Sequence, residues 1–413
     1  MKVLVLNAGS SSHKSCLFDL TQTGSGFGQE PAPIWRGQLD WSHQAGHVEL
    51  SAKTAAGESV KTVVATESRP EGIEQLLTTL YQGPTQVIGS LTEINAVGHR
   101  VVHGGRDYSA SVRITEDVKA AIRDLIPVAP AHNPANLEGI EVLEQLLGGV
   151  PQVAAFDTAF HAAMPECAAA YPGPYEWLEK GIRRYGFHGI SHQYVAQRTA
   201  ALLGQNLADL KLITCHLGNG CSLAAVKNGI SIDTTMGFTP LDGLMMGSRS
   251  GSVDPGILIH LMRQEGYTAD QLDRVLNKES GLKGISGVSN DMRTVVDAIA
   301  SQNPRAQLAL DMFVHRLNRE VGAMLGSLGG LDALVFTAGI GENSPPLWEK
   351  VAAQFAFLGL RVDPAKLERA DADRDIATTE SAVRLLVIHT QEEWAIAQAC
   401  LELCQPASSS SPS

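Results

Sequence analysis

Short apolar runs cut by tight Gly/Asn/Ser bends set the rhythm of this chain, and one such unit occurs twice. Lys2-Val-Leu-Val-Leu leads into Asn7-Ala-Gly-Ser-Ser-Ser-His-Lys14 and then into Cys16-Leu-Phe-Asp. Leu212-Ile-Thr-Cys-His-Leu leads into Gly218-Asn-Gly220 and then into Cys221-Ser-Leu-Ala-Ala-Val. Each pattern predicts strand, turn, strand. A glycine in the bend has no Cβ above it, so successive N–H groups can converge on an anion. One copy is only a turn. Two copies about half a chain apart point to a duplicated domain gripping phosphates from two sides.

The same patterning places further elements. Residues 96–102 read as a buried strand ending in His103-Gly-Gly105. His132-Asn-Pro134 predicts a helix start, with Asn133 as N-cap and Pro134 as the first helical residue. Leu137, Ile140, Leu143 and Leu147 form its apolar stripe. Residues 152–156 predict a short strand that delivers Asp157 at its C-terminal end. Residues 334–337 predict another strand, and Ala338-Gly-Ile-Gly-Glu-Asn343 a Gly-rich loop after it. A late strand over 383–388 precedes a terminal helix over 393–404, expected to pack back on the first domain. Residues 21–33, rich in Gly, Gln and Pro, read as a loop. The Ser-rich tail 407–413 reads as disordered. Alternating strands and helices predict α/β layers, with one domain over 1–158 plus 392–406 and another over 159–391.

Composition narrows the function. At 413 residues the chain exceeds one comfortable core. A net charge of −12 argues against non-specific binding to nucleic acid or acidic membranes. No run approaches the ~20 apolar residues of a membrane span, and the first residues enter a strand without the pattern of a secretory signal. The six cysteines sit mostly in apolar patterns and show no zinc-ligand spacing. The cytoplasm is the expected compartment.

Candidate chemistry gathers at the bends. Asn7, Ser10, Ser11, Ser12 and Lys14 offer hydroxyls, N–H groups and one ammonium as a phosphate cradle, or else form a plain polar hairpin. Arg100 lies in an otherwise apolar strand, so it pairs with an internal carboxylate or binds an anionic ligand. Asp157 ends a strand, where open α/β sheets place ligands. His188 stands between glycines, with Ser191 suited to cap the next helix. Arg249 sits on a turn of small residues, free to close on a ligand. Three such loops favour a cleft that stabilises an anionic transition state.

The motifs Asn7-Ala-Gly-Ser-Ser-Ser-x-Lys14, His99-Arg-Val-Val-His-Gly-Gly105, His132-Asn-Pro134, Phe156-Asp-Thr-Ala-Phe-His161, Tyr185-Gly-Phe-His-Gly189, His216-Leu-Gly-Asn-Gly220 and Gly339-Ile-Gly-Glu-Asn343 occur in this order. Together they resemble the acetate kinase family of acyl-phosphate kinases, over residues 2 to about 404. The resemblance implies the duplicated actin-like fold shared with sugar kinases and heat-shock ATPases, with ATP in the interdomain cleft. It implies Asn7 and Glu392 as residues of a Mg²⁺ site, with Mn²⁺ able to substitute. Lys14, His216, Leu217, Gly218, Asn219, Gly220, Asp291, Met292, Arg293, Gly339, Ile340, Gly341, Glu342 and Asn343 are implied as ATP contacts. Arg100 is implied to bind the substrate carboxylate, Asp157 to act as acid/base or positioning group, and His188 and Arg249 to stabilise the transition state. His132 matches a further active-site histidine. Val102, Ala131, Phe187 and Pro240 fall where the family builds its acyl pocket. His13, Ser15, Ser248, Ser252 and Gln391 depart from the family's usual residues, and Ala131 stands where leucine is common.

The implied reaction is reversible, in-line transfer of the ATP γ-phosphoryl group to acetate, giving acetyl phosphate and ADP. Propionate and butyrate are alternative substrates. A sugar kinase or a nucleotide-binding switch of the same fold are more distant alternatives. A carboxylate needs no base to become a nucleophile, so the difficulty is bringing two anions together. Arg100 offsets one charge, Arg249 and His188 meet the charge spread over the phosphoryl oxygens, and Asp157 suits a positioning role. A homodimer through the second domain is also implied.

Overall fold

In the computed structural model of the protein, residues 1–9, 12–21, 30–42, 44–368 and 373–404 are described. Ser10, Ser11, most of the 21–33 loop and the 407–413 tail therefore lie outside the described residues. The chain divides into two units, Met1–Ala159 with Gln391–Ser413, and Phe160–Thr390.

The first unit is built on a sheet of β1 (Lys2–Ala8), β2 (Ser12–Asp19), β3 (Trp35–Asp40), β4 (Val48–Thr54), β5 (Ser59–Val64), β6 (Ala96–Val101), β7 (Val112–Arg113) and β8 (Gln152–Phe156). Their order is β5-β4-β3-β2-β1-β6-β8-β7. β1, β6 and β8 run parallel, and the remaining pairs are antiparallel. The second unit carries β9 (Lys211–Leu217), β10 (Cys221–Lys227), β11 (Ile230–Thr234), β12 (Ala333–Thr337), β13 (Arg374–Asp375) and β14 (Arg384–Val387) in the order β11-β10-β9-β12-β14-β13. Here β9, β12 and β14 are parallel and the others antiparallel. Six strands thus repeat in the same order and sense. β4 and β5 extend only the first sheet.

Patterning explains the difference between centre and edge. β8 and β12 are buried at every position and read as continuous apolar runs, as strands covered on both faces must. β3 and β4 alternate buried with less buried residues, because only one face meets the helix Arg69–Tyr81. That helix is capped by Ser68, which accepts from the Glu71 N–H. Its Ile73, Leu76, Leu77 and Leu80 join Trp35, Leu39 and Leu50 in one core, each buried side chain contributing about 1.5–3 kcal/mol. The helix Pro304–Leu328 buries Ala306, Ala309, Phe313, Leu317, Val321, Met324 and Leu328, a stripe of 3–4 spacing against the second sheet.

The terminal helix Glu392–Cys404 returns to the first unit and packs on β1, β6 and β8. Gly98 permits this approach: a Cβ there would stand 2.4 Å from Ile396 Cγ2 and 2.8 Å from Cys400 Sγ. Among the described residues no helix is long and apolar enough to cross a membrane.

Three local expectations need correction. The helix Asn133–Leu147 has His132, not Asn133, at its N-cap position. The Asn133 amide is instead turned inward, accepting from the His103 N–H at 3.2 Å and donating to the His103 and Ile122 carbonyls. Those buried backbone groups have no other ladder to join, which outweighs capping. Ser191 lies inside the helix Gly189–Leu203, whose N-cap position is taken by His188 with a left-handed φ of 58°. The Gly-rich segment after β12 is the short helix Ala338–Glu342, because the Glu342 carboxylate folds back to accept from the Ala338 N–H at 2.7 Å.

Candidate active site

In the first unit the ends of three parallel strands converge. Arg100 on β6 donates through Nε to Asp157 Oδ1 at 3.0 Å and through Nη2 to Asp157 Oδ2 at 2.6 Å. Its Nη1 donates to Asn7 Oδ1 on β1 at 3.2 Å. Asp157, at the end of β8, is 1% exposed, while the Arg100 side chain keeps 21% of its surface open. Both readings of Arg100 are thus accommodated: it has an internal carboxylate, and two of its five N–H groups lie outside these three bonds. Burial works against the charge, but Asp157 and Glu392 outweigh it and hold the guanidinium firmly protonated.

Asn136 ties the strand ends together, accepting from the Val102 N–H at 3.1 Å and donating to the Ala8 carbonyl at 2.8 Å. Val102 is buried beside them. Lys14 stands directly opposite Asn7 in the β1–β2 register, is exposed, and borders a cavity of about 560 Å³ with Arg36, Lys53, Lys61 and Glu393. His132 is half-buried at the head of its helix, and Ala131 before it is exposed.

Glu392 opens the terminal helix. Its Oε1 is buried without a hydrogen-bond partner. Burial pushes its pKa up to about 7, with Arg100 and Lys14 pulling down and Asp157 and Glu393 pushing up. A buried, unsatisfied carboxylate oxygen is costly, and a cation would satisfy it. Among the described residues no three His, Cys, Asp or Glu side chains cluster as a full metal cage. Mg²⁺ does not require one, since it takes one or two carboxylates and fills its shell with phosphate and water. The residues fit that ion.

In the second unit the β9–β10 turn and the loops around it assemble the other candidates. His188 Nδ1 lies 2.8 Å from Ser222 Oγ on β10, and its ring stacks on His216 of β9 at a centroid distance of 4.2 Å. A Cβ on Gly220 would lie 3.4 Å from His188 Nε2 and 3.6 Å from Arg249 Nη1. The imidazole and the guanidinium therefore approach the same spot above the turn. Arg249 Nη1 also donates to the Pro240 carbonyl at 3.4 Å. Phe187 is buried, with its carbonyl 3.1 Å from His161 Nε2. Gly247 lets the Asn219 and Asn290 segments close in, since a Cβ there would meet Asn219 Oδ1 at 2.1 Å. Ser252 donates to Asp242 Oδ1 at 2.6 Å and accepts from the Gly243 N–H, tying down the loop that carries Arg249.

Beside that turn lies a cavity of about 790 Å³. Gly218, Asn219, Asp291, Met292, Arg293, Gly339, Ile340 and Asn343 line it, and His216, Leu217, Gly220, Gly341 and Glu342 do not. Asp291 caps its helix through the Arg293 N–H at 2.8 Å and pairs with the Arg293 guanidinium. Glu342 is committed elsewhere: its Oε2 lies 2.6 Å from His389 Nδ1, and its Oε1 accepts from Ala338 and Thr390. Burial opposes its charge, but these bonds lower its pKa. Val296, Leu310, Val314 and Leu347 add apolar walls that sequence reasoning missed, as did Asn290, Asp297, Ser344, Pro346 and Lys350. All but Asn290 and Ser344 lie on three helices, Met292–Ala300, Pro304–Leu328 and Pro345–Gln354, where their spacing reads as ordinary core or surface.

Comparison with known proteins gives this geometry its context. The sequence model of the Acetokinase family matches residues 2–398. An acetate kinase from Cyanothece sp. is 60% identical over 99% of this chain and 100% of its own length. One from Trichormus variabilis is 61% identical over 98% of this chain and 99% of its own. Among solved structures, Porphyromonas gingivalis acetate kinase superposes with a TM-score of 0.90 at 42% identity, covering 98% of this chain and all of that one. A propionate kinase from Francisella tularensis gives 0.88 at 39% identity, covering 97% and 99%. Agreement in sequence and fold over nearly the whole chain places this protein in the acetokinase family.

Proposed function

We propose that the protein transfers the γ-phosphoryl group of ATP reversibly to acetate, giving acetyl phosphate and ADP. The observation that carries this reading is the Arg100 fork, fixed by both oxygens of buried Asp157 and by Asn7, with two N–H groups outside these bonds and part of the side chain open. Such a group orients a carboxylate and offsets its charge. Asp157 abstracts no proton, because the nucleophile is already ionised. It holds the guanidinium plane.

The cavity beside the β9–β10 turn takes the nucleotide, with apolar walls for the base and glycine-rich backbone for the phosphates. His188 and Arg249 donate to phosphoryl oxygens as charge develops there. Asn7 and Glu392 would hold Mg²⁺, which neutralises charge on the phosphates when bound. A homodimer forms through the second unit. Its support is the helix Pro255–Gln264, which buries no residue and exposes Ile257, Ile259 and Met262 to about half.

Hydroxylamine trapping of acyl phosphate, with formate, acetate, propionate and butyrate offered in parallel, tests the reading. ATP-dependent hydroxamate with acetate as the best acceptor is expected. No hydroxamate with any acid, or a clear preference for a longer one, overturns it.

A further inference from the structure

A chain of hydrogen bonds runs through the second unit and ends on His188. Thr214 Oγ1 lies 2.8 Å from His192 Nδ1, and His192 Nε2 lies 2.8 Å from Ser222 Oγ. Ser222 Oγ in turn lies 2.8 Å from His188 Nδ1. Thr214, His192 and Ser222 are completely buried, so every proton in the chain must be placed on a partner within it.

Counting protons gives the chain a direction. Ser222 has one hydroxyl proton and two imidazole neighbours at equal distance, so it donates to one and accepts from the other. Suppose it donated to His192. A neutral His192 would then carry its proton on Nδ1 and give it to Thr214. The Thr214 proton would be left with the Ala224 carbonyl at 3.5 Å, the outer edge of hydrogen bonding. In the opposite direction each proton sits in a 2.8 Å bond: Thr214 to His192, His192 to Ser222, Ser222 to His188. His192 is neutral in either case, since burial, aided by His161 and His216, holds its pKa well below the usual range.

We propose that Thr214, His192 and Ser222 are positioning residues that preset His188 as the neutral tautomer with its proton on Nε2. This deepens the proposed reaction and rests on it for its catalytic meaning: His188 offers the phosphoryl group a hydrogen bond without a charge. The surroundings favour that form. The groups facing His188 are the His216 ring stacked on it, His192 behind Ser222 with His161 beyond, and Arg249 near Nε2. An imidazolium would stand beside a guanidinium and against another imidazole, and like charges disfavour it. Among the groups just named Arg249 is then the cation, and the two donors are unlike by construction.

Ring-nitrogen NMR of the full chain with ¹⁵N-labelled histidine, in the absence of substrates, tests the relay whatever reaction the enzyme performs. His188 is assigned from the signal lost in His188→Gln. At about pH 8 its Nδ1 should be unprotonated and its Nε2 protonated. A proton on Nδ1, alone or together with one on Nε2, overturns the proposal. The kcat should not fall from about pH 6.5 to 8.5, where an ordinary histidine loses its charge, although ionisation of Glu392 at about 7 can raise it; a fall tracking the histidine titration overturns the proposal. Thr214→Val, nearly isosteric, should lower kcat about 3–10-fold, the scale of one hydrogen bond, with both KM values unmoved and Thr214→Ser restoring it. Unchanged kcat and unchanged His188 spectra in Thr214→Val count against the relay. If the wild type makes no acyl phosphate, the proposed reaction fails while the spectra still decide the tautomer.

Discussion

The two strand–turn–strand units at the heart of the sheets share a backbone frame and differ in chemistry. In the first, Asn7 faces Lys14 across the register, and the ladder closes at Ala8 and His13. In the second, His216 faces Ser222, and the ladder closes at Leu217 and Cys221. One bend offers an amide and an exposed ammonium. The other is backed by buried hydroxyls and imidazoles. Duplication repeats where the bends fall, but each unit fills them differently: an exposed ammonium opposite an amide in one, buried hydroxyls and imidazoles in the other.

The sharpest way to break this contrast is at Arg249. Arg249→Ala should lower kcat by about 10³ or more, since its contact strengthens as charge develops. Lysine should rescue poorly, lacking the planar fork. Near-normal turnover in the hydroxamate assay would remove the second unit's cation from the chemistry.

Arg100→Ala tests the other half and should act twice. Loss of a charge-assisted contact should raise the acetate KM far more than that of ATP, by roughly 2–3 kcal/mol in binding. Asp157 would be left buried and unpaired, costing about 3–5 kcal/mol of stability in urea unfolding. A large stability loss with an unmoved acetate KM would leave Arg100 a purely structural ion pair.

The first unit also carries a pH dependence of its own. Burial holds His13 at about 3, with His99 and Arg69 adding to the shift, and holds His99 and His103 at about 4. Unfolded, each would titrate near 6.5. Their contribution is therefore complete above about pH 6.5 and drains away as pH falls toward 4. Urea midpoints should drop across that window. The His13 Nε2 has no hydrogen-bond partner, so His13→Leu should stabilise by about 1–3 kcal/mol and flatten the slope. A destabilised variant with an unchanged slope would contradict this.

The smallest expected effect concerns Ala131. Ala131→Leu should raise the acetate-to-propionate ratio of kcat/KM about 3–10-fold, at roughly 0.8 kcal/mol per methylene. An unchanged ratio would show that this exposed alanine does not bound the acyl group.

Much of the architecture was legible because central strands are apolar runs bounded by glycine turns, as at 152–156 and 334–337. β3, β4 and β5 were not: β3 and β4 alternate with polar residues and pack on the helix Arg69–Tyr81, and β5, with no buried residue, is held by its ladder to β4. Sequence marked Arg100 and Asp157 singly, but their separation of 57 positions hides their pairing. The partners of His188 and His192 were equally hidden, because serine and threonine inside a strand carry no motif. Asn133 and Ser191 were misread as caps because a local rule was applied where long-range polar groups compete.

The helix Glu392–Cys404 gives the order of synthesis a meaning. The chain leaves the first unit at Ala159, builds the whole second unit, and returns only at Gln391. Until then the surface around Gly98 that receives Ile396 and Cys400 stays open, so the first unit remains unfinished on the ribosome while the second can fold. The same late helix delivers Glu392 to its place beside Arg100 and Asp157. A truncated or still-growing chain therefore lacks the carboxylate proposed to hold magnesium.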